Sequence, residues 1–284
     1  MEYNQIFKIP EYYAKYKIAE FLLEDIPEGD RTTEGLLVGN EEITAVVQAQ
    51  EDLIFAGEQL LNYFFDNTFK LSLNFRDGQL VKKDEIIAII YGRADFILAR
   101  ERTLLNLLQR LCGIATITSK FVKIAEPYNV KILDTRKTTP GLRIFEKYAV
   151  VVGGGCNHRL DLSSGILIKD NHIKLAGSIK EVIRKVKLRN EKNLPIEIEV
   201  ENLEEINEAL DEGVDGLLLD NFKPEELKRI VEYIRTKSSD VFLEASGGIN
   251  LSNLEEYVKT GVDAISSGTL TQSVKCVDIH MEFI

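Results

Sequence analysis

Residues 131–174, KILDTRKTTPGLRIFEKYAVVVGGGCNHRLDLSSGILIKDNHIK, carry eight Lys/Arg and four Asp/Glu in a chain whose formal net charge is −11. That leaves the stretch at +4 and the remainder at −15. His158 and His172, two of the three histidines, lie here as well. The cations stand beside turn formers, Thr138-Thr139-Pro140-Gly141 and Gly153-Gly154-Gly155, and not along one face of a long helix. Charge converging on a point suits a small polyanion. A nucleic-acid groove would spread its charge over a surface. The expectation is a pocket for a small, highly anionic ligand.

An acidic counterpart lies downstream. In the strand-like run 195–201, Glu197, Glu199 and Glu201 alternate with Ile196, Ile198 and Val200, so the three carboxylates share one face. If the apolar face packs under helices, the glutamates turn inward and must meet cations, either local Lys/Arg or a metal. Asp220 ends the next such run and can share that cation. Two carboxylates without a nearby His or Cys suit a hard ion, Mg²⁺, held partly through water and a substrate phosphate. Two later loops, Glu244-Ala-Ser-Gly-Gly-Ile249 and Ser266-Ser-Gly-Thr-Leu270, are rich in glycine and hydroxyls. Backbone N–H groups around Ser246, Gly247, Gly248, Ser267 and Gly268 could cradle a phosphate. His158 reads most simply as a structural hydrogen-bonding residue. Beside Arg136, Lys137, Arg159 and Lys169 it reads better as part of a carboxylate grip, with arginine supplying a bidentate fork. His172, just past Lys169, can equally help hold a carboxylate or brace the loop, and Cys156 is expected to be inert.

The elements that must position these groups change character along the chain. Residues 11–24 have helical apolar spacing, broken by Asp25-Ile-Pro-Glu-Gly-Asp30. Short alternating runs between 42 and 91 predict a mostly antiparallel sheet with one helix near 57–65. Residues 94–111 predict a helix with Leu104, Leu108 and Leu111 on one face and Arg102, Asn106 and Gln109 on another. From 113 onward strand-like and helical runs alternate (KILDT, GILIKD, PIEIEV, DGLLLD, VFLEAS, DAISS). That rhythm predicts parallel strands under helices and an open, incomplete TIM-like α/β barrel. Arg136-Lys137, Lys169, Glu199, Asp220, Ser246 and Ser267 fall at the ends of those strands, where such barrels keep their chemistry. The expected division is an N-terminal α+β sandwich over 1–112 and a barrel over 113–270, with 271–284 returning to the first domain.

Composition narrows the class. An apolar content of 44% and a charged content of 29% are ordinary for a globular chain, and a pI near 5.0 argues against general nucleic-acid or anionic-membrane binding. No apolar run approaches a membrane span, and the first residues lack the apolar core of a secretory signal. Cys112, Cys156 and Cys276 are few and widely spaced, as reduced cytosolic thiols are. A cytoplasmic location is expected.

With these residues in view, the chain resembles the quinolinate phosphoribosyltransferases. The likeness rests on LDTRKTTPGLRIFEKYAVVVGGGCNHRLDLSSGILIKDNHI, GDRTT (29–33), RERTLLNLLQRLCGIAT (100–116), IEIEVENLEE (196–205), LLLDNFKPEEL (217–227) and EASGGI (244–249). Cys156 is a small departure, since family members often carry another residue there. The resemblance implies transfer of a phosphoribosyl group from phosphoribosyl pyrophosphate to quinolinate with loss of CO₂, giving nicotinate mononucleotide and pyrophosphate for NAD synthesis. It implies that Arg102 from a partner subunit, Arg136, His158 and Arg159 grip quinolinate. Lys137 and Lys169 would lie between substrate and pyrophosphate, Glu199 and Asp220 would serve the ribose and Mg²⁺, and Ser246, Gly247, Gly248 and Gly268 would hold the 5′-phosphate. A homodimer with shared active sites is implied, and a hexamer is admitted. Two rivals are a homologous pyrophosphorylase associated with molybdate transport, expected to depart from GGGxNHR, and a non-catalytic sensor of an anionic metabolite, which needs no acidic pair.

Overall fold

The computed structural model describes residues 1, 3–36 and 40–284. Its elements in chain order are α1 (Glu11–Asp25), α2 (Arg31–Leu36), β1 (Glu42–Ala49), β2 (Leu53–Ile54), α3 (Glu58–Phe64), β3 (Lys70–Leu73), β4 (Leu80–Val81), β5 (Ile86–Arg93), α4 (Ala94–Ala125), β6 (Lys131–Leu133) and α5 (Arg143–Val152). There follow β7 (Ile166–Ile168), α6 (Asp170–Ala176), α7 (Ile179–Arg189), β8 (Ile196–Val200), α8 (Leu203–Asp211), β9 (Gly216–Asp220), α9 (Pro224–Lys237), β10 (Phe242–Ser246), α10 (Leu254–Val258), β11 (Ala264–Ser266) and β12 (Ile279–Phe283). Among the described residues no helix is long and apolar enough to cross a membrane.

The chain forms two compact units. One comprises Ile6–Ser119, Thr138–Gly154 and Ser273–Ile284. Its main sheet is antiparallel, in the order β12-β1-β5-β3. β12 shows why a short terminal strand pairs there: Ile279 and Met281 are buried while His280 and Glu282 between them are not, so one face of a period-two strand meets the core. The helix expected over 94–111 is longer, running 32 residues to Ala125 as α4. Gly113 does not end it, because that glycine marks a close approach. A Cβ there would stand 2.6 Å from the Lys275 carbonyl oxygen. Leu104, Leu108 and Leu111 are buried, and Arg102 and Asn106 are exposed.

The other unit comprises Met1–Gln5, Lys120–Lys137 and Gly155–Gln272. It holds a six-stranded parallel sheet in the order β6-β11-β10-β9-β8-β7. β6 and β7 stand at its two ends, so the barrel is open. The predicted strands are all present. Central strand β9 is apolar through Leu217, Leu218 and Leu219, all buried, as a strand covered on both faces must be. Helix starts follow local chemistry: Ser178 and Asn202 accept from the backbone N–H groups of Glu181 and Glu205, and Pro224 opens α9. One expectation fails here. β8 ends at Val200, and Glu201 does not join the inward face but is exposed. Its N–H is captured by the Glu205 carboxylate at 2.8 Å as part of the cap of α8.

Candidate active site

Parallel strands place all their C-terminal ends together, and here those ends surround a cavity of about 470 Å³. Arg136, Lys137, Arg159, Lys169, Glu199 and Asp220 all line it. A larger hollow of about 790 Å³ beside β7 and α7 has a single carboxylate, Glu191, in its lining and a largely aliphatic wall. The chemistry gathers in the smaller one.

The basic wall is assembled by a buried aspartate. Asp134, directly after β6, accepts from the Asn157 side chain at 2.7 Å and from the His158 N–H at 2.9 Å. A parallel bridge between Leu133 and Cys156 ties the same segments. The loop carrying Asn157-His158-Arg159 is thereby fastened to β6 and the loop after it, which carries Arg136-Lys137. Arg159 is buried, and its Nη1 donates to the Gly165 carbonyl at 3.0 Å. Burial first, then the neighbouring Arg136 charge, holds its guanidinium below the ordinary arginine value. A buried guanidinium with a second one beside it favours an anion in the cavity.

The acidic wall pairs with it. Glu199 forms a direct ion pair with Lys169. Lys169 is set by the start of α6: its N–H donates to His172 Nδ1 at 2.9 Å and its carbonyl accepts from the His172 N–H at 2.8 Å. His172 therefore braces the loop. Asp220 is held above the usual carboxylate range, by burial first and then by the Glu199 charge, against the pull of Lys169, Ser246 and Lys137. The two carboxylates feel one another on an open cavity wall. Oxygen donors in that arrangement fit a hard divalent cation.

On the cavity wall His158 is part of a closed cluster. Its Nδ1 accepts from the Arg159 N–H at 2.7 Å, so the ring proton sits on Nε2. Nε2 faces a Glu197 oxygen at 3.1 Å and a Glu244 oxygen at 3.5 Å. Glu197 and Glu244 are buried on strands that flank β9. Burial, then the Glu197 charge, pushes the Glu244 carboxyl up to about 8. Glu244 therefore holds its proton far more tightly than an ordinary carboxyl does. The donor atoms of His158, Glu197 and Glu244 lie within 4.8 Å of one another. Tyr3 completes the group, its hydroxyl 3.3 Å from Glu197.

The glycine loops lie at the ends of β10 and β11. Gly247 and Gly248 have φ of +102° and +61°. A Cβ on Gly247 would strike Asn221, whereas Gly248 faces open space. Ser267 is buried, and its hydroxyl donates to the Ile249 carbonyl at 2.7 Å and accepts from the Thr269 N–H at 3.2 Å. It joins the two loops and leaves no free hydroxyl. Gly268 abuts the stem of Lys137.

The fold therefore brings Arg136, Lys137, His158, Arg159, Lys169, Glu199, Asp220 and Ser246 to one cavity. Arg102 is not among the residues lining it and is exposed on α4. Asp134, Glu244 and Tyr3 are the residues that patterning did not mark. For Asp134 and Glu244 a signal existed, a carboxylate at the inner end of a predicted strand. Tyr3 lies in no periodic run and gave none.

Comparison with known proteins follows the same lines. Residues 114–282 match the family described as "Quinolinate phosphoribosyl transferase, C-terminal domain", and residues 30–112 match its N-terminal domain. A Bacillus subtilis chain named "Probable nicotinate-nucleotide pyrophosphorylase", carboxylating, is 42% identical over 94% of this chain and 92% of its own. The carboxylating nicotinate-nucleotide pyrophosphorylase of Mycobacterium leprae is 36% identical over 95% and 96%. The solved structure of the nicotinate-nucleotide pyrophosphorylase from Francisella tularensis superposes with a TM-score of 0.91 at 37% identity, covering 100% of both chains.

Proposed function

The chain belongs to the quinolinate phosphoribosyltransferase family, and from that premise we propose how its cavity works. It is a transferase that joins quinolinate to the phosphoribosyl group of phosphoribosyl pyrophosphate and releases pyrophosphate and CO₂, leaving nicotinate mononucleotide for NAD biosynthesis. The observation that carries the reading is the buried Arg159 guanidinium with Arg136 beside it, in one cavity with the carboxylates Glu199 and Asp220. A dianionic ring answers the first pair, and a polyphosphate with its counter-ion answers the second.

Arg136 and Arg159 take the two carboxylates of quinolinate through bidentate bonds. His158 contributes by fixing Arg159, since both its ring nitrogens already have partners in the protein. Lys137 and Lys169 sit between that substrate and the pyrophosphate. Ser246, Gly247, Gly248 and Gly268 hold the 5′-phosphate, with Ser267 acting through its backbone. Glu199 and Asp220 bind the ribose and, with pyrophosphate and water, Mg²⁺. Held there by Glu199 and Asp220, Mg²⁺ would supply charge neutralisation for the pyrophosphate.

The pyridine nitrogen is the nucleophile, so no activating base is needed. Its lone pair forms the N–C1′ bond as the C1′–O bond to pyrophosphate breaks, and positive charge develops on the sugar ring. Glu199 and Asp220 are the fixed negative charges that stabilise it, and the lysines stabilise the leaving group. The pyridinium then draws in the electron pair of the breaking C2–carboxylate bond, CO₂ departs, and C2 takes a proton.

Arg102, exposed on α4, serves the cavity of a second copy of the chain. The assembly is a homodimer with shared active sites, from which a hexamer can be built. The three cysteines are free, as in a reducing cytoplasm. Release of labelled CO₂ from carboxyl-labelled quinolinate, with and without phosphoribosyl pyrophosphate, tests the reaction. Release that depends on phosphoribosyl pyrophosphate is expected, and its absence would overturn the assignment.

A further inference from the structure

We propose that Tyr3 is a positioning residue of the quinolinate site, acting through His158 and Gly165 on Arg159. The inference rests on the reading above that Arg159 grips a substrate carboxylate.

The Tyr3 ring stacks on the His158 imidazole, with centroids 4.6 Å apart and planes 27° from parallel. Its hydroxyl lies 3.3 Å from Glu197 Oε2, the same oxygen that His158 Nε2 faces at 3.1 Å. Tyr3 therefore covers a face of the imidazole and shares its Glu197 oxygen. His158 in turn holds the Arg159 backbone, whose N–H donates to Nδ1. The other support of Arg159 is the Gly165 carbonyl, which accepts from its Nη1. Tyr3 packs against that residue too, because a Cβ on Gly165 would lie 2.6 Å from the Tyr3 ring. One aromatic side chain thus touches both groups that hydrogen-bond Arg159, His158 at its backbone and Gly165 at its guanidinium.

The segment carrying Tyr3 is clipped in place for this contact. Gln5 Nε2 donates to the carbonyls of Tyr3 at 2.8 Å and Asn157 at 3.2 Å, and Gln5 Oε1 accepts from the Asn157 N–H at 2.6 Å. Asn157 immediately precedes His158, so the strap and the substrate loop are registered to one another. Burial and the charges of Glu197 and Glu244 raise the Tyr3 phenol, which stays protonated and remains a donor. In this arrangement Tyr3 need not touch substrate to matter.

The test compares wild type, Tyr3→Phe, Tyr3→Leu and Gln5→Ala by steady-state kinetics and by ¹⁵N NMR of the imidazoles. The chain has only three histidines, so the His158 signals can be assigned by substitution. Tyr3→Leu is expected to raise KM for quinolinate about fivefold, the size of a lost aromatic pair plus a lost hydrogen bond, with kcat and KM for phosphoribosyl pyrophosphate within about twofold. Tyr3→Phe keeps the stack and should recover most of that loss. Gln5→Ala should move in the same direction by less, and it carries the test if Tyr3→Leu fails to fold. In wild type the His158 signals should show one tautomer, protonated at Nε2, and in Tyr3→Leu they should broaden or average. A quinolinate KM within twofold of wild type in a folded Tyr3→Leu, or equal rises in both KM values, would overturn the proposal. If wild type itself does not consume quinolinate, the reaction assignment falls instead. The imidazole spectra then decide the positioning role, and unchanged signals in Tyr3→Leu would sink it.

Discussion

At the scale of single residues the cavity separates recognition from chemistry. Arg159→Lys keeps the charge but loses the planar fork, and its quinolinate KM should rise on the order of tenfold or more. The wild-type protein should turn over quinolinate and not nicotinate, because a single carboxylate leaves one guanidinium unmatched; comparable turnover of nicotinate would contradict the two-arginine grip. Glu199→Ala and Asp220→Ala should lower kcat on the order of 10²-fold or more while leaving quinolinate affinity nearly intact by calorimetry. Glu244 makes a prediction about stability. Its folded value, about 8, lies above the ordinary 4.5, so the folded state holds a proton that the unfolded state has released between those values. Stability from this group is present below the ordinary value and is lost as pH rises through the folded one. Urea unfolding at pH 5 and pH 8 should show wild type losing stability relative to Glu244→Gln, the reverse of the usual sign for a salt-bridged carboxylate.

At the scale of elements, each strand ends in a short device that aims its terminal side chain. His172 bonds back to Lys169 at the start of α6, and Asn202 draws the chain off β8 just after Glu199 and Val200. The β10 loop is the most demanding. Its Gly247 combines φ of +102° with a hypothetical Cβ 2.3 Å from Asn221 Oδ1 and 2.8 Å from its backbone nitrogen. Gly248 has φ of +61° with open space around it. Gly247→Ala should therefore displace Asn221 and Asp220 and destabilise by about 2–3 kcal/mol, with a raised KM for phosphoribosyl pyrophosphate. Gly248→Ala should cost only about 1 kcal/mol of backbone strain. Equal effects of the two substitutions in thermal unfolding would argue against the steric account.

At the scale of the whole molecule, the question is whether one chain completes its own site. Arg102 is exposed on the long helix, in the unit that contains the antiparallel sheet, while Lys137 belongs to the unit that contains the parallel one. If Arg102 serves a second copy, inactive Arg102→Ala and Lys137→Ala proteins should complement each other once subunits exchange. In a two-fold dimer each mixed pair has one site lacking both groups and one intact site, so about a quarter of wild-type activity should return. If Arg102 serves its own chain, every site keeps a lesion and mixing restores nothing.

Local pattern was enough for much of this. The point-like basic cluster, the six strand-like runs and the polar residues at their ends are statements about neighbours in the chain, and short-range alternation and helical spacing report them directly. Glu199 and Asp220 were legible for that reason, whereas pattern left His172 open and the bond from the Lys169 N–H to its Nδ1 decided it. Where a local signal met a competing one it misled: alternation made Glu201 look inward, but the cap of the next helix ends β8 at Val200. The resemblance assigned His158 to the substrate, whereas strand order turned it toward Glu197 and Glu244, which stand on either side of β9. The seat of Tyr3 against that cluster joins residues 194 positions apart. No periodicity spans such a distance; only the tertiary packing of the first residues against the Asn157–His158 loop brings the two together.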